Sequence, residues 1–313
     1  MKRKPNLFIV GAPKCGTTAW YEYLRRHKDI SFSTAKEPHY FCSDFPGFRW
    51  AKTEAEYIQL FSSLPDTKYL GDASIMYLFS DIACQKIAEF NPEAKILIFV
   101  RRYDKFFQSY HAQLVLMHDE SELSLEQAWR LCDERAAGRK ISKTCRERSF
   151  LNYQKVGCFG RQIERVRQHF PSEQIKVIVF EEWIKDPSSA YSEILNFLGV
   201  QNDGFADFRA INEKRRDRNR VLGRILYRPP RLLLSLAKVL KRLLRLKRLN
   251  VAQRIRDLNQ AKNTQNNNLT HDLSMEIVDH FSEDRKILEA YLGRTIVEWD
   301  LTACEDGSMS SFE

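Results

Sequence analysis

The sequence lacks the cysteine spacings that hold metal ions. Its seven cysteines are scattered over 313 residues, and no Cys-x-x-Cys pair occurs. This absence argues against a zinc site. An odd number of thiols, in a chain long enough to bury a sizeable core, is typical of reduced cysteines in the cytosol. We therefore expect free thiols and no bound metal.

Long apolar runs are also missing. No stretch approaches the roughly 20 apolar residues that a membrane-spanning helix requires. The apolar run Leu7–Val10, near the amino terminus, is too short for the core of a secretory signal and leads directly into a glycine turn. Together with the cysteine usage, these features predict a cytoplasmic protein.

Acidic residues are outnumbered, since 41 Asp and Glu side chains face 50 Lys and Arg, which gives a net charge of +9. A basic balance favours anionic partners, namely nucleic acid, an acidic membrane surface or a phosphorylated small molecule. Neither aromatic interleaving nor a groove-reading motif accompanies the charge, so we expect no nucleic-acid partner.

Short apolar runs alternate with helical patterns over residues 6–210. The runs that indicate buried strands are Leu7–Val10, Ile96–Val100 and Ile175–Phe180, with a weaker candidate at Lys68–Leu70. Helical patterns cover Thr18–His27, Ser80–Phe90, Lys105–His118, Leu125–Arg135, Phe159–His169 and Ser188–Leu198. The alternation predicts an α/β fold with a doubly wound parallel sheet flanked by helices. Ligands of such sheets bind at the carboxyl ends of the strands.

The composition changes after residue 210. Residues 211–256 are strongly basic and residues 259–268 are polar, whereas Leu273–Gly293 has the pattern of an amphipathic helix closed by a glycine cap. We expect one domain over residues 1–313, with an α/β core at 6–210 and a basic, helical C-terminal extension at 211–300.

The segment "GAPKCGTT" follows the first predicted strand. Its glycines, Gly11 and Gly16, have the spacing of a nucleotide-binding P-loop, but the lysine is Lys14 and the residue after the second glycine is Thr17. Backbone N–H groups and a helix N-terminus still favour an anion there. Thr17 and Thr18 add hydroxyl donors. Because no Ser or Thr follows a lysine to hold Mg²⁺, a metal-dependent kinase is disfavoured. The alternative to an anion site is a tight turn between strand and helix that binds no ligand.

This loop resembles that of the sulfotransferases that use 3′-phosphoadenosine 5′-phosphosulfate (PAPS). In that family the segment similar to "PKCGTT" holds the 5′-phosphosulfate in a P-loop-like fold. The resemblance implies that Lys14 contacts the bridging oxygen or the sulfonate. It also implies that the 5′-phosphate is wrapped by backbone and hydroxyl donors of Cys15, Gly16, Thr17 and Thr18.

A second anion site is indicated by "RRYDKFFQS", which follows the strand at Ile96–Val100. A guanidinium fork from Arg101 and the hydroxyl of Ser109 could converge on one phosphate. The pair is similar to the family's R-x(7)-S pattern, which implies binding of the 3′-phosphate of PAPS. The segment departs from the common family form, because Arg102 and Tyr103 replace Asp-Pro.

A third resemblance lies in "INEKRRDRNR". It is similar to a segment that covers the cofactor in bacterial members of the family, and it implies that Asn212 and Arg218 also bind the 3′-phosphate region. The resemblance as a whole runs from Asn6 to Asp300.

Sulfonate transfer also needs a general base that removes a proton from the molecule receiving the sulfonate group. The segment "KEPHYF" contains two candidates for this base. Polysaccharide sulfotransferases carry a catalytic glutamate in a similar context, which implies Glu37, and His39 is the alternative because imidazole suits proton abstraction near neutral pH. The later segment "GDASIMY" resembles a family segment that contains a lysine. Here Ala73 stands at the position of that lysine.

The stretch Arg231–Leu249 has leucines at helical spacing with basic residues between them. Three interpretations stay open: a lid or core helix with basic ends, a helix that docks on an anionic membrane surface, or a wall of the entrance for an anionic acceptor.

We therefore predict a sulfotransferase that moves a sulfonate group from PAPS to a hydroxyl or amine of a small molecule or carbohydrate, without a metal. The alternatives are an ATP-dependent kinase and a peripheral membrane-binding protein with a degenerate nucleotide pocket. Which acceptor is used, and the oligomeric state, do not follow from the sequence.

Overall fold

The computed structural model describes residues 3–209, 215–217, 219–227, 255, 259–262 and 269–300. The chain forms two compact units. The first unit comprises Met1–Phe107, Tyr153–Asn212 and Thr270–Glu313, and the second comprises Gln108–Asn152 and Glu213–Leu269. The division into a core at 6–210 and an extension at 211–300 stays a prediction. Asn212, Arg218 and the basic stretch Arg231–Leu249 lie outside the described residues.

A parallel sheet forms the centre of the first unit. Its strands lie in the order β2-β3-β1-β4-β5, and every neighbouring pair is parallel. The strands are β1 (Leu7–Gly11), β2 (Ile30–Phe32), β3 (Tyr69–Asp72), β4 (Lys95–Val100) and β5 (Ile175–Val179). The predicted α/β fold with a parallel sheet is confirmed.

The strands are rich in buried apolar residues, as expected for a sheet covered on both faces. All five residues of β1 are buried, and β1 lies between β3 and β4 in the middle of the sheet. The edge strand β2 was not predicted, because three residues are too few to show a periodicity.

Helices connect the strands. They are α1 (Thr17–Leu24), α2 (Glu54–Gln59), α3 (Ala83–Phe90), α4 (Tyr103–Leu116), α5 (Leu125–Arg130), α6 (Cys132–Ala136), α7 (Tyr153–Val156), α8 (Phe159–Arg167), α9 (Phe180–Trp183), α10 (Pro187–Leu198), α11 (Arg220–Tyr227), α12 (His271–His280) and α13 (Ser282–Leu292). In the part of the chain that the structure describes, no helix is both long and apolar enough to cross a membrane.

Two predicted helices are each divided in the structure. The pattern Leu125–Arg135 becomes α5 and α6, and Leu273–Gly293 becomes α12 and α13. In the second case the break falls at Phe281, whose ring stacks on Tyr103 at a centroid distance of 4.6 Å. The interruption thus places an aromatic ring in the core, while Gly293 caps α13 in the left-handed conformation as predicted.

The second unit has its own small elements. A two-stranded antiparallel sheet joins β6 (Arg215–Asp217) to β7 (Gln260–Lys262). A buried ion pair links Arg135 to Glu120 at 2.8 Å. Ser109 belongs to this unit, where it is half-buried on α4.

Candidate active site

The predicted anion loop joins β1 to α1, at the carboxyl end of the central strand. Ala12 N–H donates to the carbonyl of Phe99 at 2.6 Å, which ties the loop to β4. Gly16 is the N-cap residue of α1 and has a φ of 85°, and no side chain caps this helix N-terminus. The first-turn N–H groups are therefore positioned to bind an anion.

Gly16 is required sterically as well as conformationally. A Cβ atom at this position would lie 2.5 Å from Cζ2 of Trp183, in α9. The indole of Trp183 in turn meets that of Trp20 at a centroid distance of 5.5 Å. The indoles of Trp183 and Trp20 thus pack against the loop, and any side chain at position 16 would displace the Trp183 ring.

Lys14 lies within this loop in a left-handed conformation, with a φ of 63°. Burial lowers the pKa of its ammonium group, and the positive charges of Arg101 and Lys36 lower it further, while Glu37 acts in the opposite direction. Several charged side chains therefore share the space around the loop. Such a cluster of cations is adapted to a polyanionic ligand.

Arg101 follows β4 and reaches back to the loop. Its Nη1 donates to the carbonyl of Lys14 at 3.4 Å. Its guanidinium carbon lies 4.2 Å from the ring centroid of Phe180, and its Nε lies 3.9 Å from a carboxylate oxygen of Glu181. Packing and charge together hold the guanidinium beside the anion loop.

The departure from the family pattern after Arg101 has a structural explanation. Arg102 is buried and makes a two-pronged ion pair with Asp104, with distances of 2.7 and 3.0 Å. The backbone N–H of Arg102 donates to the carboxylate of Glu181, which also accepts a hydrogen bond from the indole of Trp299 at 2.8 Å. The start of α4 is therefore held by the carboxylate of Glu181, which follows the neighbouring strand β5.

The candidate bases lie in a strained turn after β2. Glu37 and His39 have φ values of 55° and 49°, which non-glycine residues rarely adopt. Lys36 donates from its Nζ to Oγ1 of Thr18 at 2.7 Å, and the same Nζ lies 3.6 Å from Glu37 Oε1. The turn is thereby brought to the first turn of α1, beside the anion loop.

A buried network beneath this turn holds it in place. His39 Nδ1 donates to the carbonyl of Glu37 at 2.7 Å, and His39 N–H donates to Ser74 Oγ at 3.0 Å. Ser74 donates to the carboxylate of Asp72 at 2.6 Å. The hydroxyls of Tyr57 and Tyr77 donate to the same carboxylate, each at 2.8 Å.

The free energy of unfolding is expected to depend on pH through Asp72, the carboxylate at the centre of this network. Burial raises the pKa of Asp72 to about 6, against three hydroxyl donors that lower it. The native state keeps this proton up to about pH 6, whereas the unfolded chain loses it near 3.8, so the protonated native form is favoured at low pH. The free energy of unfolding, relative to Asp72→Asn, should fall by about 3 kcal/mol as the pH rises through this window.

Urea unfolding of both variants across this pH range measures the difference. Tyr77→Phe removes one of the hydroxyl donors and should move the window to higher pH, because the ionised carboxylate loses a hydrogen bond. Parallel curves for wild type and Asp72→Asn would contradict the assigned pKa.

The structure brings together most of the residues predicted from sequence. Lys14, Thr18, Glu37 and Arg101 lie around the loop between β1 and α1. Three charged residues near them were missed as parts of the site: Lys36, Asp72 and Glu181. Only Lys36 had a usable signal, since it directly precedes Glu37.

The chain is similar in sequence to known sulfotransferases. The sulfotransferase domain family matches residues 4–217. Bifunctional heparan sulfate N-deacetylase/N-sulfotransferase 1 of Xenopus tropicalis is 28% identical over 205 residues, which is 64% of this chain and 23% of that protein. Human heparan sulfate glucosamine 3-O-sulfotransferase 3B1 is 24% identical over 201 residues, 64% of this chain and 47% of that protein. The chain thus spans less than half the length of these curated relatives.

A solved structure supports the same assignment over almost the whole chain. The crystal structure of a sulfotransferase from Alicyclobacillus acidocaldarius superimposes with a TM-score of 0.68 and 26% identity. The superposition covers 95% of this chain and 99% of that one. With the family match over more than half of its length and the parallel sheet in common, the chain belongs to the sulfotransferase family.

Proposed function

We propose that the protein transfers a sulfonate group from PAPS to a hydroxyl or amine of a carbohydrate acceptor. One observation carries the proposal: Lys14, Lys36 and Arg101 surround the uncapped N-terminus of α1, and Glu37 lies beside them. Three cations and a helix N-terminus suit a polyanionic donor. The carboxylate of Glu37, next to Lys36, suits the removal of a proton from the acceptor.

The loop between β1 and α1 is the proposed site for the 5′-phosphosulfate. Backbone N–H groups and the hydroxyls of Thr17 and Thr18 bind the phosphate, and Lys14 binds at the bridging oxygen. The side chain of Cys15 is fully buried and its Sγ donates to the carbonyl of Pro13 at 3.4 Å, so Cys15 contributes only its backbone.

Arg101 is the proposed ligand of the 3′-phosphate. The Phe180 ring and the Glu181 carboxylate hold the guanidinium in place before any ligand binds, which lowers the entropic cost of recognition. The roles of Ser109, Asn212 and Arg218 at the same phosphate rest on the family resemblance and stay predictions.

Transfer proceeds by in-line attack. The acceptor oxygen or nitrogen forms a bond to sulfur while the bond from sulfur to the 5′-phosphate oxygen breaks, and the electron pair of that bond leaves with the bisphosphate. Glu37 takes the acceptor's proton, since its side chain is 29% exposed and therefore accessible to an acceptor. His39 is only 2% exposed and uses Nδ1 to bind the Glu37 carbonyl, so we assign it a positioning role.

The acceptor class is inferred from the relatives. Both curated relatives described above are named for heparan sulfate, a polysaccharide whose glucosamine units offer hydroxyl and amine groups. A carboxylate base is also what the polysaccharide branch of the family implies. We therefore propose a carbohydrate acceptor.

Calorimetric titration tests the donor site. Wild type is expected to bind 3′-phosphoadenosine 5′-phosphate (PAP) without metal and to bind ADP far more weakly, because ADP lacks the 3′-phosphate. Arg101→Ala should weaken PAP binding by about 10² to 10³-fold, as expected for loss of a charge-assisted contact worth a few kcal/mol. ADP binding should be nearly unchanged, since it makes no use of Arg101.

Arg25→Ala is the matched control, because Arg25 is a surface residue that pairs with Glu22. It should bind PAP like wild type. Preference for ADP with Mg²⁺ over PAP would overturn the proposed donor in favour of a kinase. Failure to bind either nucleotide would favour the membrane-binding alternative.

A further inference from the structure

The segment that follows β3 provides no cation to the site. Ala73 stands where the resembling family segment has a lysine, and it is 2% exposed in the core. Its neighbours Asp72 and Ser74 are turned into the buried network under His39. Sulfonate transfer places developing negative charge on the bridging oxygen, and Lys14 is the ammonium group already proposed to bind there.

Lys36 contacts both parts of the proposed site. Its Nζ donates to Thr18 Oγ1 at 2.7 Å, so it reaches the first turn of α1, where the proposed phosphate site begins. The same Nζ lies 3.6 Å from Glu37 Oε1, on the side of the proposed base. The ammonium group therefore lies between the group that accepts the proton and the loop that binds the leaving group.

We propose that Lys36 is a further catalytic residue, which replaces the missing lysine of the β3 segment and stabilises the charge that develops as the sulfur–oxygen bond breaks. The inference rests on the proposed function and deepens it. In the transition state the ammonium group exchanges the neutral Thr18 hydroxyl for a developing anion, an interaction that is much stronger there than in the ground state.

The other cations near the site have different partners. Arg102 is buried against Asp104, and Arg165 donates to the carbonyls of Leu78 and Phe79. Lys36, by contrast, has a neutral hydrogen-bond partner and a carboxylate beyond hydrogen-bond distance.

The charge of Lys36 also reaches Lys14. Burial is the largest cause of the lowered pKa of Lys14, followed by the positive charges of Arg101 and Lys36, whereas the charges of Glu37 and Cys15 raise it. Removing the charge of Lys36 should raise the pKa of Lys14.

The test compares Lys36→Met, Lys36→Arg and Lys28→Met, the last being an exposed lysine of the same unit. Transfer from labelled PAPS is followed with N-desulfated heparin, which offers hydroxyls and amines, and with water, which requires no knowledge of the acceptor. PAP binding is measured by calorimetry. We expect Lys36→Met to lower kcat by about 10²-fold for either acceptor. PAP affinity should change by less than about tenfold, and the arginine variant should recover most of the loss.

The pH profile provides the second readout. In Lys36→Met the alkaline limb of kcat/KM should move to higher pH, while Lys28→Met should match wild type throughout. Loss of PAP affinity by the same factor as kcat/KM, or a kcat equal to that of Lys28→Met, would overturn the role of Lys36 and leave the proposed function standing. Absence of PAP binding and of transfer in wild type would overturn the proposed function, and this inference with it.

Discussion

Glu37→Gln is expected to lower kcat for sulfonate transfer by about 10³-fold, within the range for loss of a general base. The amide has the shape of the carboxylate but does not take the acceptor's proton. The turn itself should survive, because the substitution keeps the Glu37 carbonyl that accepts from His39 Nδ1 and the hydrogen bond from His39 N–H to Ser74. The affinity for PAP should therefore stay close to that of wild type.

His39→Asn is the informative comparison. Asparagine can donate to the Glu37 carbonyl as His39 Nδ1 does, and it tolerates a φ of 49° better than most residues. If His39 only positions the turn, this variant should retain most of its kcat. A variant pair in which Glu37→Gln stays active and His39→Asn does not would reverse the assignment of the base.

Lys14→Met is expected to have an effect of similar size, about 10³-fold in kcat. Methionine has about the volume of the lysine side chain. The substitution therefore removes the positive charge of the half-buried Lys14 without leaving a cavity. Because Arg101 and the N–H groups of α1 remain, PAP should still bind, only more weakly. Lys52→Met, at an exposed lysine of the same unit, is the matched control for a change in net charge.

The pH dependence distinguishes Lys14 from a merely structural residue. Its pKa is lowered from the ordinary value of 10.5 by burial and by the charges of Arg101 and Lys36, against the effect of Glu37 and Cys15. Activity should therefore fall on the alkaline side at a lower pH than an ordinary lysine would produce, as the ammonium group loses its proton. Lys14→Arg keeps a positive charge at all accessible pH values and should lose this limb. An alkaline limb shared by wild type and Lys14→Arg would exclude Lys14 as its origin.

Local patterns predicted the architecture well where a segment is long and apolar. The strand at Ile96–Val100 was placed within one residue of β4, and the strand at Ile175–Phe180 within one residue of β5. Helix breaks were predicted poorly. The sequence at Phe281 continues an amphipathic pattern, but the helix breaks there and the ring packs on Tyr103 and Phe107 in the core.

The sequence by itself determined the parallel sheet and the glycine turn after its central strand, because each is encoded in a contiguous segment. It also predicted Lys14, Glu37 and Arg101 as site residues, through short motifs that resemble those of the family. Only the tertiary structure decided what surrounds them. Lys36 donates a hydrogen bond to Thr18, and Asp72 accepts hydrogen bonds from the hydroxyls of Tyr57 and Tyr77. These partners are too far apart in the sequence for a local pattern to predict the contacts. Burial and charge act through space, so the environment that sets a site's chemistry exists only once the chain has folded.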